Sequence, residues 1–291
     1  MEIIRQLDLR QIIHAALAED VGQGDITTAA TVTPGHAGRA RITVKEPADI
    51  VFCGGFMFAE VFAMTGGEPQ TRALANEGAK LPPNTIAAEI DGGLAGLLVG
   101  ERVALNFVQL MSGIATATRR YVDAVAGSRA RIIDTRKTHP GLRALEKYAV
   151  RCGGGSNHRF GLDSGVLIKE NHIAAAGGIG PALERARMLA PHTFRIQIEC
   201  ETLPQVEEAL AAGAMAILLD DMPLDEMREA RRIAGDAVIL EASGGVTLDA
   251  VREIAETGVD LISVGALTHS VKAVDLSMRI EGAARRGERR D

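Results

Sequence analysis

The run Asp134-Thr135-Arg136-Lys137-Thr138-His139 directly follows a short apolar stretch. Arg136 offers a planar fork to a carboxylate or phosphate, and Lys137 a mobile point charge beside it. A second polar run, CGGGSNHRFG at 152–161, puts three glycines ahead of Asn157, His158 and Arg159. Glycines allow a backbone to approach a ligand closely. The run lacks the Gly-Lys-Ser/Thr end of a Walker loop and the spacing of a dinucleotide fingerprint. Lys169 closes the apolar VLI at 166–168 and leads into Glu170, Asn171 and His172. An ammonium at the end of a buried strand needs an opening or a partner, because burying it unpaired is costly.

Three acids, Glu199, Glu201 and Asp220, stand at the ends of neighbouring apolar runs. Glu199 and Glu201 share a face if the strand persists. Clustered carboxylates repel unless a cation sits among them. A Mg²⁺ site, an acid/base pair, or salt bridges to Lys169 or Arg136 would each account for them. Asp221 suits a solvated position or a loop cap. Glu241, Ser243, Gly244 and Gly245 share one loop, and the next strand runs through Ser263 to Val264 and Gly265. Backbone N–H groups in such loops suit a phosphomonoester.

The elements that must hold these groups fall into two rhythms. Residues 9–19 have helical apolar spacing, and DVGQGDITT after them reads as a structured turn. Strands are expected at 38–46, 49–53, 70–76, 85–91 and 94–99, with a helix over 54–66. That is a small α+β unit. A long helical pattern at 101–126, with Gly113 inside it, marks the junction. Beyond it, short apolar strands at 130–135, 165–169, 194–199, 214–220, 237–245 and 259–265 alternate with helices at 142–150, 179–189, 203–213, 223–235 and 248–258. Glu199 to Asp220 is 21 residues, Asp220 to Glu241 is 21, and Glu241 to Ser263 is 22. This is the cadence of parallel βα units. A doubly wound sheet would use mainly one switch point, whereas here every strand ends at or beside a polar group, as at the mouth of an α/β-barrel.

Composition narrows the class. The chain has 291 residues, 46% hydrophobic, 3% aromatic and without Trp, with net charge -6. So few aromatics and so little positive charge argue against nucleic-acid binding. The three cysteines, 53, 152 and 200, are not close in sequence and read as buried thiols in a reducing compartment. No two histidines lie at i,i+3 or i,i+4, so zinc has little support. The N-terminus has no signal-peptide pattern, and apolar runs such as 209–219 are too short to cross a membrane. A cytoplasmic protein is expected. The charged tail reads as a solvated end.

Strung together, these motifs resemble the quinolinate phosphoribosyltransferase family nearly end to end. The resemblance is carried by ALAEDVGQGDITT (16–28), NFVQLMSGIAT (106–116), DTRKTHPGLRALEKYAVRCGGGSNHRFGL (134–162), VLIKENHI (166–173), ILLDDM (217–222), EASGGV (241–246) and DLISVGALTHS (260–270). It implies a type II phosphoribosyltransferase fold: an N-terminal α/β open-faced sandwich at 1–105 and an incomplete, about seven-stranded α/β-barrel at 106–270. A last helix, about 271–286, would pack back on the first domain. The implied reaction joins quinolinate to 5-phosphoribosyl 1-diphosphate with Mg²⁺, giving nicotinate mononucleotide, diphosphate and CO₂ in NAD synthesis. A homodimer with shared sites is the smallest implied unit, and higher oligomers occur in the family.

Carried over by motif, Arg102 of a second chain would join Arg136, His158 and Arg159 on the two quinolinate carboxylates. Lys137, Lys169, Glu199 and Asp220 would be catalytic, with Glu199 and Asp220 also serving Mg²⁺, directly or through water or substrate. Ser243, Gly244, Gly245 and Gly265 would bind the 5-phosphate. The chain departs from the family pattern at Gln197, where an acid is usual, and at Asp221, Ser164 and His139. Two other readings compete. One is a nicotinate-specific relative, which needs fewer cations. The other is a non-enzymatic small-molecule binder, which has no use for carboxylates beside an anion.

Overall fold

The computed structural model describes residues 9–285. In chain order the elements are α1 (Leu9–Val21), α2 (Ile26–Thr31), β1 (His36–Val44), β2 (Ile50–Val51), α3 (Phe56–Met64), β3 (Gln70–Leu74), β4 (Lys80–Leu81), β5 (Ile86–Gly93) and α4 (Leu94–Ala124). Then come β6 (Arg131–Ile133), α5 (Arg143–Cys152), β7 (Val166–Ile168), α6 (Glu170–Ala176), α7 (Ile179–Leu189), β8 (Ile196–Cys200) and α8 (Leu203–Ala211). The chain closes with β9 (Ala216–Asp220), α9 (Leu224–Ala234), β10 (Ile239–Ser243), α10 (Val251–Ala255), β11 (Leu261–Ser263), α11 (Ala266–His269) and β12 (Leu276–Arg285). They form two compact units. One takes the chain up to Ala117, His139–Gly154 and the segment from Val271, and the other takes Thr118–Thr138 and Gly155–Ser270. The division falls inside α4 rather than at 105/106.

The first unit is built on an antiparallel sheet in the order β12-β1-β5-β3. Alternation explains it: Ala40, Ile42 and Val44 of β1 are fully buried. On the other face Arg39 pairs with Asp91 at 2.8 Å and Arg41 with Glu89 at 2.8 Å. One apolar face and one charged face is the pattern of an open-faced sheet. The expected C-terminal helix is instead strand β12. Leu276 and Met278 are buried while Ser277 and Arg279 are not, a period of two that a helix cannot present. The expected strand at 94–99 is the start of α4. Its apolar Leu94 and Leu97 recur at helical spacing and are buried. Asp25 caps α2 by accepting from Thr28 N at 2.9 Å, so the turn expected there contains a short helix.

α4 has 31 residues and is long and apolar enough to cross a membrane by composition. Buried Val103, Leu105, Val108, Met111 and Ile114 mark it as a core helix. A Cβ on Gly113 would lie 2.3 Å from the Lys272 carbonyl oxygen, so only glycine permits that approach.

The second unit holds a six-stranded sheet in the order β6-β11-β10-β9-β8-β7, parallel throughout. The two edge strands, β6 and β7, are consecutive in the chain. A barrel closed between them would be complete; instead a one-residue parallel bridge joins Ile133 to Ser156. The barrel is therefore incomplete, as expected, with six full strands and a one-residue bridge in place of a seventh. The strands are nearly all apolar, as in Ile198, Ile217, Leu218, Leu219, Leu240 and Ile262. Helices follow the rules of their ends. Thr202 caps α8 through Gln205 N, and α9 has Asp225 and Glu226 in its first turn and Arg231 and Arg232 in its last.

Candidate active site

Parallel pairing brings all six strand ends to one edge. Ser243 stands opposite Asp220, and Ser263 opposite Ile133. Lys169 follows β7 and sends Nζ to Glu199 Oε2 at 2.7 Å. The Glu199 side chain is 4% exposed, while that of Lys169 is 46% exposed. Burial, with Glu170 and Asp220 adding to it, pushes the Glu199 carboxyl above its ordinary range against the pull of Lys169. The expected facing of Glu199 and Glu201 does not occur. β8 ends at Cys200, and Glu201 N bonds Gln205 Oε1 at 2.7 Å.

Lys137 lies across Gly265. A Cβ on that glycine would sit 3.1 Å from Lys137 Cδ and 3.1 Å from His269 Nε2. Thr268 Oγ1 donates to the Lys137 carbonyl at 2.7 Å, fixing the loop after β6 to α11, which follows β11. Ser243 leads into Gly244 and Gly245, both with positive φ, 92° and 54°. A Cβ on Gly244 would lie 2.1 Å from Asp221 Oδ1. Asp221, itself at φ 52°, thus packs on the glycine loop and donates its N–H to Ser243 O at 3.0 Å. Consecutive positive-φ glycines can present backbone N–H groups to an anion.

The polar run after the glycines is held from below. Asp134, fully buried, accepts from His158 N at 2.8 Å and from Asn157 Nδ2 at 2.6 Å. His158 Nδ1 accepts from Arg159 N at 2.7 Å, leaving Nε2 3.7 Å from Glu241 Oε2. Arg159 donates to Gly165 O at 2.9 Å. Its guanidinium is pushed below its ordinary range by burial and by the charge of Arg136. Two guanidiniums and an imidazole so placed suit an anion with more than one negative group. His158 and Arg159 also line a cavity of about 390 Å³ with Arg131, Arg195, Gln197 and Glu241, reaching the first residues of the strands.

Each departure has a local account. Gln197 Nε2 donates to Glu241 Oε2 at 2.8 Å, and both are buried. An acid at 197 would set two buried carboxylates against each other, so the amide complements Glu241. His139 belongs to the first unit and bonds the buried Glu146 at 2.5 Å. Ser164 is exposed and donates to Asp163 Oδ1 at 2.8 Å. Arg102 is exposed on α4, in the first unit, beside a groove of about 520 Å³ lined by Asp20, Gly24 and Asp25.

Sequence reasoning named Asp134, Gln197 and Glu241 but gave none of them a role in holding the site, and it passed over Thr268. Asp134 headed its motif, but only the fold shows it turning back to 157–158. Sequence reasoning gave the cysteines as buried thiols outside any disulfide; all three are free, with Cys53 and Cys200 buried and Cys152 half-buried, and what it did not show is that Cys152 lies beside Cys53.

Family comparisons fit this geometry. The description "Quinolinate phosphoribosyl transferase, N-terminal domain" matches residues 25–112, and its C-terminal counterpart matches 114–279. The chain belongs to the quinolinate phosphoribosyl transferase family. It is 43% identical over 277 residues to a probable carboxylating nicotinate-nucleotide pyrophosphorylase of Bacillus subtilis, covering 95% of each chain. It is 44% identical to the Mycobacterium leprae carboxylating nicotinate-nucleotide pyrophosphorylase, covering 92% of this chain and 96% of that one. The crystal structure of nicotinate-nucleotide pyrophosphorylase from Ehrlichia chaffeensis superposes with a TM-score of 0.89 at 41% identity, covering 95% of this chain and 100% of that one.

Proposed function

We infer that this quinolinate phosphoribosyltransferase family member transfers phosphoribosyl from 5-phosphoribosyl 1-diphosphate to quinolinate with decarboxylation, giving nicotinate mononucleotide, diphosphate and CO₂. The observation that carries the reading is one parallel sheet whose strand ends deliver Arg136, a Lys169–Glu199 pair and a glycine cradle (Gly244, Gly245), with His158 and Arg159 brought in by the segment before β7 and tied to Asp134. Quinolinate is a dianion, and its partner carries several phosphate charges, so both need cations and oriented N–H groups.

In this reading Arg136, His158 and Arg159 bind the two carboxylates, and Arg102 of a second copy completes them; its exposure supports that role. Ser243, Gly244, Gly245 and Gly265 take the 5-phosphate. Lys137 and Lys169 attract diphosphate oxygens. Glu199 and Asp220 face the anomeric carbon as positive character builds there, and a fixed carboxylate stabilises such a centre electrostatically. The pyridine nitrogen attacks without a proton to lose, so no side-chain base is assigned. As CO₂ departs, the electron pair of the broken C–C bond stays on the ring carbon beside the pyridinium nitrogen, which stabilises it, and that carbon then takes a proton from water.

Glu199 and Asp220 offer hard oxygen donors, which fit a Mg²⁺ that keeps waters and phosphate oxygens among its ligands. When bound with the donor, Mg²⁺ supplies charge neutralisation on the diphosphate. The same reading takes the enzyme as a cytoplasmic homodimer at least.

The test is incubation with the phosphoribosyl donor, Mg²⁺ and either quinolinate or nicotinate. Quinolinate should give equimolar diphosphate, CO₂ and mononucleotide. Turnover of nicotinate in preference would overturn the substrate assignment, and failure to release diphosphate with either acid would overturn the reaction.

A further inference from the structure

Away from the strand ends, the first unit brings two of the three cysteines together. Cys53 Sγ, Cys152 Sγ and a Glu77 carboxylate oxygen lie within 4.8 Å of one another. We propose that Cys53, Glu77 and Cys152 form a binding site for one divalent cation of the zinc class, held by two thiolates and one carboxylate oxygen.

Donor chemistry is the first argument. Thiolates select borderline and soft cations, and a carboxylate beside them is compatible with zinc. Ligands of a tetrahedral zinc ion lie roughly 3.5–4 Å apart, given its bond lengths. The three groups, within 4.8 Å of one another, therefore need close by at most about 1.3 Å.

Preorganisation is the second. Ser112 Oγ accepts from Cys53 N at 3.0 Å and donates to Cys53 O at 3.1 Å, pinning the backbone on both sides. Glu77 is aimed by the N–H groups of Gly54 and Gly55, each at 2.8 Å, and by the Tyr148 hydroxyl at 3.1 Å. Such outer contacts are what orient metal ligands. Cys152 closes α5, and its thiol points at Glu77 Oε2, 3.8 Å away.

Charge is the third. The hydrogen-bond donors to the Glu77 carboxylate are two backbone N–H groups, a phenol and a thiol, all neutral. A cation would complement the carboxylate and draw both thiols into their ionised forms. A disulfide is the competing use of two neighbouring thiols. The carboxylate works against it, because a negative neighbour disfavours the attacking thiolate. Cys152 also opens the run that continues to His158 and Arg159, so a bound ion would anchor the root of that loop.

The reduced, chelator-treated full-length protein should be titrated with Co²⁺ and then Zn²⁺. One equivalent of Co²⁺ per chain should give a thiolate-to-cobalt charge-transfer band, which Zn²⁺ abolishes. Cys152→Ser should lose about half the band, and Tyr148→Phe should weaken affinity roughly 10-fold through the second layer. Cys200→Ser should leave both unchanged. Because Cys53 is fully buried and its substitution could unfold the chain, Cys152→Ser and Glu77→Gln carry the test. No band, a band unchanged in Cys152→Ser, or an intramolecular Cys53–Cys152 disulfide in place of metal would overturn the proposal. These readouts do not depend on the transferase reaction.

Discussion

Carboxylates of the two units do different work. On the first unit's sheet, Asp91 takes Arg39 and Arg72, and Glu89 takes Arg41, with the arginine side chains 34–63% exposed. In the second unit, Asp134, Glu199 and Glu241 are 0–4% exposed, and each meets a group that bears on the site: His158 N, Lys169 and Gln197. Exposed pairs trade one solvated state for another and gain little. Buried ones have lost water, so each partner removed leaves a group uncompensated. The lesson is that charge near charge marks a site only where burial makes the pairing obligatory.

That contrast can be broken from its strongest point. Asp134→Ala should destabilise the protein by about 3 kcal/mol, because the half-buried His158 N–H and Asn157 amide lose their hydrogen-bond acceptor. Quinolinate binding should fall with it, since His158 and Asn157 lose their anchor. Thermal unfolding and a quinolinate isotherm check both; an unchanged midpoint would erase the distinction between the two regions.

Gly244→Ala comes next. The added methyl meets Asp221 Oδ1 at 2.1 Å, and the residue sits at φ 92°, a conformation costing about 1–3 kcal/mol for a side-chain-bearing residue. The expected result is weaker binding of the phosphoribosyl donor, read from its KM, with quinolinate affinity little changed. Equal losses for both substrates would mean that the loop is a general support.

Glu241→Gln probes burial through pH. Burial raises the Glu241 carboxyl above its ordinary 4.5, so the folded state holds the proton more readily than the unfolded chain. Its contribution is present below the unfolded value and is lost as pH rises through the folded one. Relative to wild type, the variant should gain stability from mildly acidic to neutral pH. Parallel stability-against-pH curves would contradict this.

At the weak end, Arg39→Ala should change stability by about 0–1 kcal/mol and leave turnover intact, as befits a pair with a 41% exposed arginine. A larger loss on denaturant unfolding would mean that the sheet's charged face is not a solvated surface.

Most of the second unit was legible in the sequence because its signal is local. Short apolar strands carrying Glu199, Asp220, Glu241 and Ser263 recur at intervals of 21, 21 and 22 residues, and parallel pairing then forces their ends together. Legibility failed where the deciding contact is distant. Leu276 to Arg285 alternates like a strand, but its partner β1 lies more than 200 residues earlier, and the helix implied by the family resemblance was wrong. Residues 94–99 are apolar enough for a strand or a helix, and only their continuity with the pattern beyond them decides. The convergence of Cys152 on Cys53 and Glu77 leaves no trace in spacing at all.

The most direct test of the strand-end site is Glu199→Gln, assayed by steady-state kinetics across pH. An ionised carboxylate acting on developing positive charge predicts a fall in kcat of roughly 10²–10³-fold. The KM for the phosphoribosyl donor should stay nearly constant, and the wild-type kcat should rise as pH passes through the elevated range of the Glu199 carboxyl. An unchanged kcat, or a loss confined to donor KM, would contradict the account.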